Sequence, residues 1–379
     1  MLTNQQERNN AQNRDHGQQT AADQQQLGAR FVQPVGEWQE LALVAYVGRR
    51  QTFQGLSVPV GQATGGTLPA LPQGWGAWAS GTATFGKSGR VGGYDFQTDG
   101  ITLGADRAVG EHLLLGVAGS LARNDSDLDG TTSRLKADQR SLALYGLWRR
   151  GEHLFVDGML ATGRLDFDIR RWSDDAGALG TAVRDGEQWF GSLALGYEHR
   201  GERMALTGYG RFDASRTTLD AYREYGLDIY DLAYRRQEVE NSTFALGIEG
   251  SYQVGGANGR YRPFWTLEYR QAIDDKGEAS MNYVVWPHPT DYRLGMQSYN
   301  DNALSLAAGL DVKLRPGWLL SLLFGHEQAS NRTQGSTIGL RLSYGQPSSG
   351  GFVQDDGTMA GEAVRRCGRR CADPSEAPR

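Results

Sequence analysis

The chain has 379 residues and a formal charge of −5, which allows two or three ordinary domains or one large barrel and argues against the basic surface that nucleic-acid binding requires. No apolar run approaches the roughly 18 residues of a membrane helix. That excludes helical spans but not a barrel, whose strands need only alternate residues to be apolar.

The glycine content, 52 residues beside 16 Tyr and 9 Trp, is about twice the usual 7%. Such a composition suits a barrel, with glycines in crowded walls and aromatics at two interfaces. Both cysteines, Cys367 and Cys371, fall in the last stretch of the chain. The cysteine-free body suits passage through an oxidising compartment.

Three regions are expected. Residues 1–73 form a polar N-terminal segment and linker. Its opening MLTNQQERNN has no apolar stretch of the signal-peptide kind. The Gln/Asn-rich tract to about residue 35 reads as disordered or as a polar helix. It is followed by one apolar patch, WQELALVAY, and a Gly/Pro-rich linker.

From Gly74 to Gln346 alternating stretches succeed one another. Twelve strands are predicted, at roughly 74–86, 93–109, 112–124, 134–149, 153–170, 182–199, 203–219, 230–254, 260–274, 298–314, 318–332 and 335–346. In FALGIEGSY, Phe244, Leu246 and Ile248 oppose Ala245 and Glu249; in YRPFWTLEYR, Tyr261, Trp265, Leu267 and Tyr269 oppose Arg262, Glu268 and Arg270. Asp311 and Lys313 oppose Leu310 and Val312, and Glu198 opposes Leu195 and Tyr197. A helix would scatter these residues around its axis.

Short reversals (VGEH, RRGEH, RGER, VGGANGR, LRPGW) alternate with longer polar loops. An even strand count with short turns at one end and long loops at the other is the outer-membrane pattern. A soluble β-sandwich also alternates, but its strands average about 5–6 residues. Many runs here exceed ten, with Trp or Tyr near their ends, as interfacial girdles require. The fold class is therefore all-β, a 12-stranded antiparallel transmembrane barrel with an N-terminal polar, partly helical segment in or near its pore. Glu198, Glu249, Arg262, Glu268, Arg270, Asp311, Lys313 and Arg341 are the expected pore-facing polar residues. Residues 347–379 read as a polar, disordered tail.

Catalysis is not expected. A barrel hydrolase needs a Ser–His or His–Asp constellation near the outer rim. Among the histidines (His16, His112, His153, His199, His288, His326), three fall at turns of the opposite end. His288, with Asp291 nearby, is the single catalytic candidate, and a solvated loop residue is the simpler account. His326 is expected to pair inside the wall. Cys367 and Cys371 could form a disulfide; no further ligands accompany them for zinc. No cofactor or metal is expected.

The stretches GWGAWASGTATFG, YDFQTDGITLGADRAVGEHLLLGVAGS, ADQRSLALYGLWRRGEHLFVDGML, RPFWTLEYR and the closing STIGLRLSY, in this order, resemble the translocator (β-domain) of bacterial type V autotransporters over about 70% of the chain. The resemblance implies a twelve-stranded outer-membrane barrel with both ends periplasmic, a helix threading the pore, and export of an N-terminal passenger. It also implies outer-membrane lipid, the barrel-assembly machinery, periplasmic chaperones and a passenger as partners of a monomer. Thr337, Gly339, Leu342 and Tyr344 resemble the final-strand signal read by barrel assembly. Some family members cut the passenger at an Asn–Asn bond; Asn9–Asn10 lies 64 residues before Gly74, too far for a helix joined directly to the first strand. The family order places a signal and a long passenger ahead of the barrel, so the chain is expected to be a C-terminal fragment, a product of a mis-set start, or a degenerate translocator. The alternative functions are a passenger-less porin and, further off, a barrel hydrolase.

Overall fold

A computed structural model describes residues 74–88, 94–110, 112–128, 132–151, 153–201, 203–254, 260–285, 292–295, 302–315, 318–330 and 333–345. Twelve long strands are present among them: β1 (Trp75–Ser88), β2 (Tyr94–Val109), β3 (Leu113–Leu128), β4 (Arg134–Arg150), β5 (Leu154–Ser173), β6 (Ala178–Arg200), β7 (Met204–Leu219), β10 (Gln237–Tyr252), β11 (Tyr261–Tyr283), β13 (Ala303–Arg315), β14 (Trp318–Ala329) and β15 (Gln334–Gly345). Three short ones, β8 (Tyr222–Arg223), β9 (Leu232–Tyr234) and β12 (Tyr292–Gly295), lie beyond them. Each long strand pairs antiparallel with its neighbours in chain order, and β15 pairs with β1 to close the barrel. Closure leaves no wall strand with an unpaired edge, the condition for backbone to cross lipid.

Alternation sorts the side chains onto two faces. Outward on β4 lie Trp148, Leu144 and Leu142, then Arg140, Asp138 and Lys136; outward on β3 lie Leu113, Leu115, Val117 and Leu121, then Arg123, Asp125 and Asp127. The exposed large apolar residues thus form a band that stops abruptly at charge. An apolar band about 25 Å tall, flanked by aromatics, is what a bilayer demands. Trp148, Tyr197, Tyr252, Tyr261, Trp318 and Tyr344 mark the end nearest the short turns, with the Trp318 and Tyr344 rings 4.9 Å apart. Trp189 and Tyr269 mark the other.

On the inward face, aromatic rings lie across glycines of the adjacent strand. Trp78 covers Gly104, Tyr145 covers Gly116, Phe155 covers Gly196 and Tyr209 covers Gly247, each directly opposite in register. A Cβ at any of these glycines would sit 2.1–2.4 Å from a ring atom. Here glycine is needed for close approach rather than for its backbone freedom.

Strands β5 and β6, with 20 and 23 residues, overreach the 9–11 residues that cross a bilayer. Beyond the membrane they join β8, β9, β12 and the far end of β11 in a continued wall. The expected strand 230–254 is broken there. Leu232–Tyr234 is β9, and β10 begins only at Gln237. The polar stretch 219–231, expected as loop, carries β8 and a single 3-10 turn at Asp228–Tyr230. The strand expected to end at 274 runs on to Tyr283.

The inner face of this extension is apolar. Leu135, Leu165, Phe167 and Ile169 pack with Tyr222, Leu232, Tyr234 and Met281. Arg171 is fully buried there and donates to Glu224 at 2.9 and 2.6 Å, and to the Tyr230 carbonyl at 3.1 Å. The Tyr222 and Tyr234 rings stack at 4.5 Å.

Candidate functional site: the barrel interior

The inward positions of β6 through β15 are rich in charge, and the charges are joined. Glu198, buried, accepts from Arg149 at 2.9 Å and from Arg200 at 2.6 Å. Arg211 donates to Asp213 at 2.7 Å and, with two nitrogens, to both oxygens of Glu268 at 2.8 Å. Tyr209 donates to the same carboxylate at 2.5 Å, and Ser192 donates to Asp213 at 2.6 Å. Arg262 pairs with Asp311 and Arg270 with Glu327. Bidentate and multiply bonded pairs of this kind repay the desolvation of buried ions.

One part of the inward face of β1 to β6 is different. Trp78, Ala118, Ala143, Met159, Ala161 and Phe190 line a neutral hollow. Its polar members bond to one another: Gln139 donates to Gln188 at 3.1 Å, Gln188 donates to Thr217 at 3.2 Å, and Thr102 and Ser120 share a bond at 3.0 Å. The lumen therefore combines ion-paired stretches with a neutral hollow.

Of the expected polar residues, Glu198, Glu249, Glu268, Arg270, Asp311 and Arg341 are buried, and Arg262 and Lys313 are half-buried. Arg341 lies with its guanidinium carbon 4.0 Å from the Trp78 ring centroid. Sequence reasoning missed Arg149, Arg211, Asp213 and Glu327, which complete the pairs. Strand alternation carried the signal for Arg211 and Asp213, which flank the outward Phe212 on β7.

His326 corrects an expectation. Its side chain is exposed on the outward face and bonds Ser336 at 3.0 Å. Glu327, one residue on, takes the inward place. Adjacent residues cannot share a face of a strand, so a His–Glu sequence neighbour is no pair. His112 and His153 lie at turns and His199 near the same end of β6. His16, His288, Asn9, Asn10, Cys367 and Cys371 lie outside the described residues. Among the described residues no cluster of three or more His, Cys, Asp or Glu side chains could hold a metal.

A closed twelve-stranded barrel with an apolar outside and a polar, ion-paired inside defines an outer-membrane β-barrel protein. A family model, "Autotransporter beta-domain", matches residues 77–325, and the chain belongs to that family: it is an outer-membrane translocator barrel. The fold is similar to the translocator domain of the autotransporter NalP from Neisseria meningitidis (TM-score 0.60, 15% identity, 81% of this chain and 97% of that one). It is similar also to the β-domain of the Bordetella autotransporter BrkA (0.52, 17%, 72% and 99%) and to the transport unit of AIDA-I from Escherichia coli (0.51, 13%, 77% and 96%). No match to a curated protein sequence is found.

Proposed function

We propose that the barrel exports a polypeptide attached to its N-terminus and holds that chain at the cell surface, without chemistry of its own. The observation that carries this reading is the mixed lumen. Ion-paired stretches (Glu198, Glu268, Arg211, Arg262, Asp311) beside a neutral hollow (Trp78, Met159, Phe190) suit an amphipathic occupant better than a stream of small ions. Residues 1–73, polar with one apolar patch, are that occupant's source, and residues 347–379 are a periplasmic tail.

Glu249, Arg270, Lys313 and Arg341 complete the pore-facing set. Thr337, Gly339, Leu342 and Tyr344 serve as the final-strand signal for the assembly machinery. Their placement on β15 supports this: Thr337 and Gly339 turn inward while Leu342 and Tyr344 turn to lipid. Periplasmic chaperones deliver the chain, which works as a monomer. The buried carboxylates are engaged by arginines at hydrogen-bond distance, which leaves them poorly placed as general acids or bases.

An epitope fused ahead of Met1 tests the proposal. It should be cut by protease added to intact cells, and an epitope that stays protected in cells with a folded barrel would refute export. The porin reading shares the polar lumen. Single-channel conductance with and without residues 1–60 separates the two, because a lumen occupied by its own N-terminal segment opens on deletion and a porin does not change.

A further inference from the structure

The junction of β15 with β1 differs from every other in the wall, because no turn connects its strands. Elsewhere the loop between neighbours helps fix their register; here only side chains can. A slip of one residue would turn the apolar face inward and is excluded by the lipid. A slip of two keeps every apolar residue outward and every polar residue inward, so alternation offers no protection against it. The outer surface of β1 adds little, since between Trp75 and Phe85 at its ends Ala77, Ala79, Gly81 and Ala83 give β15 nothing to interlock with.

The inner surface does more. Arg341 stands opposite Ser80 in register and lays its guanidinium on the ring of Trp78. That ring is fixed in turn. Its Nε1 donates to the Tyr145 hydroxyl at 2.7 Å, which donates to Asp106 at 3.0 Å. Trp78 also lies across Gly104 on β2, and Tyr145 across Gly116 on β3. Arg341, Trp78, Tyr145 and Asp106 are each at most 5% exposed. One chain of contacts thus runs from β15 through β1 to β4 and back to β2. A slip of two residues would carry the guanidinium roughly 7 Å along the strand, off the ring.

We propose that Arg341 is the positioning residue that sets the register of barrel closure, with Trp78 as the fixed mark that it reads. The role rests on the chain being an outer-membrane barrel and is independent of what the barrel exports. It occupies a position inside the stretch Thr337–Tyr344 distinct from the four residues assigned to the assembly signal.

Cross-linking of the full chain, with Cys367→Ser and Cys371→Ser, tests it. Ala83 and Ile338 stand opposite each other on the outward face, so Ala83→Cys with Ile338→Cys reports the native register and leaves the four signal residues intact. Gly81→Cys with Ile338→Cys, and Ala83→Cys with Leu340→Cys, report slips of two in either direction; as diagonal neighbours about 7–8 Å apart they lie beyond disulfide reach in the native register. With Arg341 present only the native pair should bridge. Arg341→Ala should lose native-pair yield and gain a slipped pair, and Arg341→Lys, which keeps a cation for the ring, should restore the native pattern. Arg341→Gln keeps the bulk without the charge and should behave as Arg341→Ala.

Native-pair yield unchanged in Arg341→Ala or Arg341→Gln, with both slipped pairs silent, would overturn the proposal. If neither neutral variant folds, closure in Arg341→Lys upholds it and failure of Arg341→Lys too overturns it. A chain that keeps Arg341 yet shows no heat-modifiable mobility would instead refute the barrel itself.

Discussion

Arg211 on β7 reaches past β10 to grip Glu268 on β11 with two bonds of 2.8 Å. The strand between them makes this possible, because it presents Ala245 and Gly247 beneath the pair. Neighbouring backbones already share hydrogen bonds; this pair ties together strands that do not touch. Both partners are shielded from water, so each depends on the other for its solvation.

Replacing one partner alone should therefore cost more than replacing the whole cluster. Arg211→Ala or Glu268→Ala is expected to destabilise the barrel by about 3–5 kcal/mol, while Arg211→Met with Glu268→Leu and Asp213→Asn, which also neutralises the second carboxylate that Arg211 bonds, should recover much of that loss. Denaturant unfolding of the barrel reconstituted in vesicles measures both. Equal losses in the single and triple variants would contradict the buried-pair account.

The outward face should tolerate charge only above the apolar band. Leu144→Arg, deep in the band, is expected to cost about 2–4 kcal/mol. Lys136→Leu, in the charged zone of the same strand, should change stability little. The same vesicle unfolding separates them, and similar effects would mean that the band is misplaced.

Gly104, Gly116, Gly196 and Gly247 lie under rings, so added bulk there must displace an aromatic. Gly104→Val is expected to lose about 1–3 kcal/mol by overpacking. Gly208→Ala, where a Cβ meets nothing within 4 Å, is the matched control and should be close to neutral. Heat-induced loss of the compact gel form compares the two.

Above the membrane, burial pushes the Tyr222 and Tyr234 phenols upward, and the neighbouring Glu224 adds to the effect. In the unfolded chain both would ionise near pH 10. A raised folded value means that the phenols contribute stability in full below about pH 10 and lose it as pH climbs through the folded values. Alkaline titration followed by tyrosinate absorbance should show late phenols whose number falls by two in Tyr222→Phe with Tyr234→Phe. An unchanged number of late phenols in that variant would contradict the packing of this extension.

Strand number, strand order and the inward sense of the eight expected pore-facing residues were legible in the sequence because a lipid-facing barrel writes them in period two, although His326 was misplaced. Thus Ile338, Leu340, Leu342 and Tyr344 are outward and Arg341 inward, as STIGLRLSYG suggests. The continued wall was not legible. Above the membrane an outer face meets water and needs no apolar alternation, so 219–231 and 274–295 read as loop although β8, the end of β11 and β12 lie there. The partners of buried charges were hidden for another reason. Arg211 and Glu268 are brought together by closure of the wall, and no spacing along the chain records which strands will be two apart. Aromatics on the inner face, such as Trp78 and Tyr145, carry no mark in the sequence of the glycines they cover; register alone sets them over Gly104 and Gly116.

The central claim, a closed barrel with its apolar face in outer-membrane lipid, is tested most directly by heat-modifiable gel mobility of the protein in the outer-membrane fraction of expressing cells. The unheated protein should migrate as a compact form and shift to its full apparent mass on boiling. A soluble protein whose mobility is the same before and after boiling would contradict the account.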